Sequence, residues 1–293
     1  MIAQTFAYYA PSSVGAACAL LAQYGDHMRV LAGGQELVPA MTAGEISPAA
    51  ILDLRAIASL SDLSRRDGNL HIGSTVTHRR LERDPLVREC CGLLAETAAS
   101  IGGGVQVRNR GTIGGGICRG SNAGDYLASM VALDVKLRLI SAGGERIIPA
   151  ADFFLAPLQT AERPNELLTE IIVPELSPRS GYAYYKLTFS DGCYNIASAA
   201  CVLTLSEDGV CNEVRLALGG VASRPLRLQT VEAALVGNAI TPEALDSAAE
   251  LARVAVEDPI SDVQADGTYR RIVAGVVVKR AIEAALARCG SSR

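Results

Sequence analysis

The chain has 293 residues, of which 49% are hydrophobic and 20% are charged, and its formal net charge is −4. This composition is typical of a compact globular protein with two domains or three small ones, and the acidic balance argues against a nucleic-acid partner. No apolar run approaches the roughly 20 residues that cross a bilayer and no leader pattern opens the chain, so we expect a cytoplasmic protein without a membrane span.

Short strands alternate with helices over the first quarter of the chain. Apolar spacing predicts helix 12–24, strand 29–32, helix 35–41, and strands 50–54 and 70–73. The first helix begins at Ser12 or Ser13, since a serine side chain can accept a hydrogen bond from the first free N–H groups of a helix. The pair Asp67-Gly68 lies in a polar stretch between two strands and indicates a hairpin turn.

A glycine-rich stretch over 102–124 separates two groups of predicted elements in the middle of the chain. These elements are two helical segments within 77–101 that divide at Pro85, a short helix over 126–133, and strands 135–140, 146–149 and 171–174. A stretch over 175–181 that is rich in Pro, Ser and Gly then marks a domain boundary.

The second half of the chain carries a hairpin followed by helices. The predicted elements are strands 197–205 and 210–218, joined at Glu207-Asp208-Gly209, and helices 230–235, 241–257 and 269–288. In this order the elements predict an α+β fold with two domains.

Cysteine and histidine spacing gives no sign of a metal site. None of the eight cysteines forms a Cys-x-x-Cys pair, and the adjacent Cys90 and Cys91 cannot alone supply the converging geometry of a zinc or iron–sulfur site. The histidines His27, His71 and His78 are far apart in the sequence, and none lies beside a nucleophile motif. We therefore expect buried thiols, satisfied histidines, no metal and no catalytic constellation.

Two glycine-rich segments, over 31–41 and 111–125, carry the strongest functional signal. Gly33-Gly34 lies between a strand and a helix, where unshielded N–H groups favour an anion, although one such pair alone more often makes a simple turn. The second segment lies in a stretch so dense in glycine that it suggests close approach of a ligand to the backbone. Neither segment has the G-x-G-x-x-G fingerprint or a lysine-bearing phosphate loop, which excludes a Rossmann domain and an ATPase.

The residues of these segments resemble those of a known family. The first reads LAGGQELVPAM over 31–41, and the second reads RNRGTIGG over 108–115. Further similar stretches lie at 152–154, 166–168, 185–186, 217–221 and 269–271. Together they resemble the FAD-binding medium subunits of molybdenum hydroxylases, which include the medium subunit of carbon monoxide dehydrogenase and the flavin domain of xanthine dehydrogenase.

This resemblance implies a particular domain order and a set of cofactor contacts. The fold would be an α+β, PCMH-type FAD-binding domain over 1–176, with subdomains at about 1–55 and 56–176, followed by a smaller α+β C-terminal domain over 177–293. The FAD contacts implied are Ala32, Gly33, Gly34, Gln35, Glu36, Gly111, Thr112, Ile113, Gly114, Gly115, Asp125, Leu168 and Lys186. Residues 32–36 and 111–115 would hold the diphosphate and ribityl chain through N–H groups. For Lys186, a solvated strand position is an equally good interpretation.

The resemblance also implies partners. A large subunit would hold the molybdenum cofactor, a small subunit would hold two [2Fe–2S] clusters, and the complex would be a dimer of heterotrimers, that is, a heterohexamer. In it this chain would pass electrons from the clusters through FAD to an external acceptor. The absence of a cysteine cluster or acid–base constellation in the sequence is consistent with this dependence on partners.

The sequence departs from the family pattern over 116–125 and over 188–194, which leaves other hypotheses open. Cys118 in the first departure could be redox-active, or it could be a small buried side chain. A stand-alone FAD oxidoreductase, with a substrate pocket formed by the altered segment and Tyr194, is one alternative. A flavin-free scaffold that keeps the fold for protein contacts is another.

Overall fold

A computed structural model describes residues 4–289; the first three and last four residues, which the predicted domain bounds include, lie outside that range. The described residues form a three-stranded, a five-stranded and a four-stranded sheet, and a two-stranded ribbon. Helices pack between and around the sheets, which confirms the expected α+β fold class.

The first sheet is parallel and has the order β1-β3-β2, with β1 at Ala7–Tyr9, β2 at Met28–Leu31 and β3 at Ala50–Asp53. Helix α1 (Val14–Tyr24) connects β1 to β2, and α2 (Leu37–Ala43) follows β2. The Oγ of Ser13 accepts from the N–H of Ala16 at 3.2 Å, which confirms the predicted start of α1. Strand β1 was not predicted, because three residues are too short to show a period.

The second sheet is antiparallel, with the order β4-β5-β10-β6-β7. Its strands are β4 (Leu63–Arg66), β5 (Asn69–Gly73), β6 (Lys136–Ser141), β7 (Gly144–Pro149) and β10 (Leu167–Pro174). Asp67 and Gly68 have φ values of 52° and 68°, which confirms the predicted turn, but the turn joins β5 to β4, which was not predicted, rather than to the strand at 50–54. Strand β10 begins four residues before the predicted strand, because a register shift between Leu168 and Glu170 interrupts its alternation.

Helices cover the second sheet, and the ribbon lies beside them. They are α3 (His78–Arg83), α4 (Pro85–Ala99), α5 (Gly104–Arg110), α6 (Ile113–Arg119), α7 (Tyr126–Ala132) and α8 (Ala150–Phe153), with β8 (Phe154–Ala156) and β9 (Gln159–Thr160). The predicted division at Pro85 is confirmed, since Asp84 caps α4 there. The glycine-rich stretch contains two helices that were not predicted, because glycine costs about 1 kcal/mol per helical position; buried Ile113 and Ile117 hold α6 in place.

The third sheet has the order β11-β12-β13-β14, and a group of helices follows it. Its strands are β11 (Ser180–Thr188), β12 (Asn195–Leu205), β13 (Cys211–Gly219) and β14 (Leu226–Arg227). The helices that follow are α9 (Gln229–Leu235), α10 (Pro242–Ala255) and α11 (Gly267–Leu286). One face, with Tyr184, Ala200 and Val202, joins the core of the second sheet and its helices. The opposite face, with Ala199 and Cys201, packs in a separate core with α11. This sheet is therefore buried on both sides.

Candidate functional site

The two glycine-rich segments lie directly against each other. A Cβ atom added to Gly33 would lie 2.3 Å from the carbonyl oxygen of Arg110 and 2.7 Å from the Cα of Gly111. Neither approach is sterically tolerable, so only glycine fits at this junction. The structure thus brings the first segment to the start of the second, as the sequence led us to expect.

The first segment presents a row of unpaired donors. Within residues 4–289, the N–H groups of Gly33, Gly34, Gln35 and Glu36 donate no hydrogen bond. They lie between the end of β2 and the first turn of α2, and Gln35 and Glu36 are exposed residues. Successive free N–H groups of this kind favour an anion such as a diphosphate. The residues here fit the cofactor that the sequence suggested.

The second segment differs, because its first N–H groups already have partners. Gly114 donates to the carbonyl of Ser74 at 2.9 Å, Gly115 donates to the Thr112 hydroxyl at 3.2 Å, and Ile113 donates to a backbone carbonyl at 3.0 Å. Thr112 is thus the cap of α6, and its hydroxyl proton remains free to donate. This segment offers an exposed, side-chain-free surface at Gly115 rather than a row of donors.

A buried histidine, His78, packs against the junction of the two glycine segments. A Cβ on Gly111 would lie 2.5 Å from Nε2 of His78, and Nδ1 of His78 lies 2.9 Å from the hydroxyl of Tyr126. Burial, with the nearby charge of Arg108, lowers the pKa of His78 to about 4. The imidazole is therefore neutral near pH 7, and His78 is a satisfied core histidine.

The two stretches that depart from the family pattern, 116–125 and 188–194, meet at Glu36. The hydroxyl of Tyr194 donates to one Glu36 oxygen at 2.8 Å, and Nε of Arg119 lies 3.5 Å from the other. Burial and the Glu36 carboxylate raise the pKa of Tyr194 to about 12. One carboxylate of the first segment therefore joins the end of α6 to the β11–β12 connection.

Asp125 and Lys186 form a buried ion pair. Nζ of Lys186 lies 2.9 Å from Oδ1 of Asp125 and donates to the carbonyl of Ser100 at 3.1 Å, while the hydroxyl of Tyr184 donates to Oδ1 at 2.8 Å. Burial raises the pKa of Asp125, and Lys186 and Tyr184 oppose that rise. Because only 10% of the Lys186 side chain is exposed, its interpretation as a solvated strand residue is wrong.

Leu168 is placed differently from the other predicted contacts. The whole residue is 2% exposed and packs in the core. Its N–H donates to the carboxylate of Glu162, which also bonds the Cys118 thiol. Burial raises the pKa of Glu162 to about 7 and that of Cys118 well above its usual value. Cys118 is therefore a protonated thiol, as expected for a small buried side chain.

Sequence reasoning missed Tyr184, Glu162 and also Asn195, whose Nδ2 donates to the carbonyl of Ala123 near Asp125. A usable signal existed for Tyr184, since a strand over its surroundings would put it on the same face as Lys186, two residues on. Glu162 lies in a connection without regular secondary structure, so no hydrophobic pattern in the sequence predicts where its side chain lies.

The described part of the chain has neither a metal-binding cluster nor a membrane-spanning helix. Residues 4–289 contain no group of three or more His, Cys, Asp or Glu arranged to hold a metal ion. Among the same residues, no helix combines the length and apolar character needed to span a membrane.

Comparison with known proteins gives matches along the chain. The family model of the FAD binding domain in molybdopterin dehydrogenase matches residues 4–176, and that of the CO dehydrogenase flavoprotein C-terminal domain matches residues 166–285. The carbon monoxide dehydrogenase medium chain of Hydrogenophaga pseudoflava is 38% identical over 290 residues, covering 99% of this chain and 100% of the relative. The 6-hydroxypseudooxynicotine dehydrogenase complex subunit alpha of Paenarthrobacter nicotinovorans is 32% identical over 284 residues, covering 97% and 95%.

A solved structure also matches the fold along nearly the whole chain. A chain of the carbon monoxide dehydrogenase from Hydrogenophaga pseudoflava that lacks the Mo-pyranopterin moiety superposes with a TM-score of 0.95, at 39% identity and over 99% of this chain and 100% of that chain. The fold and site therefore define a flavoprotein in which an FAD-binding domain precedes a C-terminal domain of the CO dehydrogenase type. The chain belongs to the family of FAD-binding medium subunits of molybdenum hydroxylases, and it is an oxidoreductase subunit whose cofactor is FAD.

Proposed function

We propose that this chain is the electron-transfer flavoprotein of a molybdenum hydroxylase, receiving electrons from [2Fe–2S] clusters of a small partner subunit and delivering them to an external acceptor. The observation that carries the proposal is the junction of the two glycine segments, where the first of four successive N–H groups without partners, that of Gly33, lies against the start of the second segment. When bound, FAD exchanges one or two electrons and so links one-electron clusters to a two-electron acceptor.

The protein's own residues then bind and orient the cofactor. Residues 32–36 hold the diphosphate through their N–H groups, and residues 111–115 form the facing wall with the Thr112 hydroxyl as a donor. Asp125, with Lys186 beside it, supplies a buried charge, and Leu168 remains a cofactor contact that the family resemblance predicts. The boundaries that fit these roles remain 1–176, with subdomains at about 1–55 and 56–176, and 177–293.

The partners follow from the same proposal. A large subunit holds the molybdenum cofactor, and two copies of each of the three chains assemble as a dimer of heterotrimers in the cytoplasm. One relative is named for carbon monoxide and another for 6-hydroxypseudooxynicotine, so the substrate of the complex does not follow from this subunit.

The stand-alone oxidoreductase gains no support from the site. That alternative needs Tyr194 to line a substrate pocket, but its hydroxyl is engaged by Glu36.

Two measurements test the proposal. The purified chain should be yellow, bleach with dithionite and release FAD; protein that stays colourless after incubation with FAD would overturn it. Added substrate should reduce the flavin only when the large and small subunits are present. Full substrate turnover by this chain alone would contradict the role of an electron-transfer subunit.

A further inference from the structure

Three side chains of the third sheet cross to backbone and carboxylate groups beside the second glycine segment. Lys186 donates to the carbonyl of Ser100, and Tyr184 donates to Asp125. Nδ2 of Asn195 donates to the carbonyl of Ala123 at 2.9 Å. Tyr184 and Lys186 lie on β11, and Asn195 is the first residue of the neighbouring strand β12, so two adjacent strands hold Ser100, Ala123 and Asp125 in place.

These contacts are not needed to join the sheet to the rest of the molecule. Apolar packing by residues such as Ala200 and Val202 already does so on the same sheet face. Asn195 is fully buried, yet its Oδ1 has no hydrogen-bond partner, which is an energetic cost to the fold. Gly220, with φ of +78°, leaves room for this amide, because a Cβ there would lie 2.0 Å from Oδ1. An apolar side chain would avoid that cost, so the amide is explained by the carbonyl it holds.

We infer that Tyr184 and Asn195 are positioning residues of the FAD site: Tyr184 orients the Asp125 carboxylate, and Asn195 fixes the backbone that carries it. The C-terminal sheet thereby sets the placement of a cofactor contact that belongs to the other half of the chain. This inference rests on the proposed role of Asp125 at the flavin.

The test compares two tyrosines that are neighbours on β11. Tyr184→Phe removes one hydroxyl that bonds Asp125, while Tyr185→Phe removes one that bonds Arg280 on the opposite face of the sheet. In the full-length chain we expect Tyr184→Phe to weaken FAD binding about 10-fold, or about 1.4 kcal/mol, and Tyr185→Phe to leave it unchanged. FAD titration followed by flavin fluorescence measures both.

A pH profile separates positioning from a purely structural role. The titratable groups that face Asp125 are Lys186, Tyr184, Tyr126 and Tyr194. Losing the Tyr184 hydrogen bond destabilises the Asp125 carboxylate, so the decline in FAD affinity at low pH should begin at a higher pH in Tyr184→Phe. A structural role would weaken binding equally at every pH, and that result would overturn the inference.

Asn195→Ala supplies a second variant. Denaturant unfolding of the FAD-free protein shows whether the variant is folded, and a folded Asn195→Ala should bind FAD about 10-fold more weakly. If wild-type protein binds FAD and both Tyr184→Phe and folded Asn195→Ala bind it equally well, the positioning role fails while the proposed function stands. If wild-type protein does not bind FAD, the proposed function itself fails.

Discussion

The two halves of the site are built by different physical means. At the junction of Gly33 with Arg110 and Gly111, backbone meets backbone and no atom can be added. Around Asp125, the contacts are made by buried charged and polar side chains. The first half therefore tolerates no added atom, whereas the second half depends on the balance of its buried charges. The predictions below test these two halves, the buried carboxyl of Glu162 and the rim that connects the halves.

Removing the charge of Lys186 should have the largest effect on stability. Lys186→Met leaves the Asp125 carboxylate buried without its ion-pair partner, which we expect to lower the free energy of unfolding by about 3–5 kcal/mol. Denaturant unfolding measures the change. The double variant with Asp125→Asn should recover much of the loss, and Lys279→Met, which removes an exposed pair with Asp246, should have little effect. Equal losses at Lys186 and Lys279 would show that burial does not set the cost.

Adding one methyl group at the junction of the glycine segments should abolish FAD binding. Gly33→Ala places a Cβ against the carbonyl of Arg110, so we expect a loss of about 1–3 kcal/mol in the free energy of unfolding and no detectable FAD binding. Gly15→Ala is the matched control, since its Cβ meets nothing within 4 Å in α1 and alanine favours the helix by about 1 kcal/mol. A Gly33→Ala protein with normal FAD affinity would contradict the steric account of the junction.

The junction should lose stability in acid. The pKa of His78 is about 4 in the folded protein against a usual 6.5, so unfolding takes up a proton as the pH falls below 6.5. The stability that the neutral imidazole contributes is complete above pH 6.5 and is lost towards pH 4, by about 1–3 kcal/mol. Unfolding measured across this range should be less pH-dependent in His78→Gln.

Glu162, beside Cys118, should give stability the opposite pH dependence, because its contribution is lost as the pH rises. Its folded pKa of about 7 exceeds the usual 4.5, so the stability tied to its protonated form is complete below pH 4.5 and is lost as the pH rises through 7. The loss should amount to about 1–3 kcal/mol. Glu162→Gln should remove this dependence and be more stable than wild type at pH 8. An unchanged pH profile would show that Glu162 is not buried in its proton-bound form.

Sequence could predict the contact between the glycine segments but not the partners of Asp125. The Ser13 cap, the Asp67-Gly68 turn and the break at Gly33-Gly34 are local signals, and the structure confirms them. Helix α6 was missed because the packing of its isoleucines outweighs the low helix propensity of its glycines. The partners of Asp125 come from a strand about 60 residues later, and only tertiary structure brings them together.

The smallest effect should come from the exposed rim that connects the two halves. Tyr194→Phe removes a hydrogen bond to Glu36, and because both side chains are partly exposed, water replaces much of what is lost. We expect FAD affinity to fall by less than about 5-fold, or about 1 kcal/mol, measured by the same fluorescence titration. Since Tyr194 precedes Asn195 in the chain, a loss as large as that of Asn195→Ala would mean that the rim and the buried network act as one unit. A clearly smaller loss in Tyr194→Phe would show that the rim and the buried network act separately. In that case the rim covers the site, and the buried network determines the affinity for FAD.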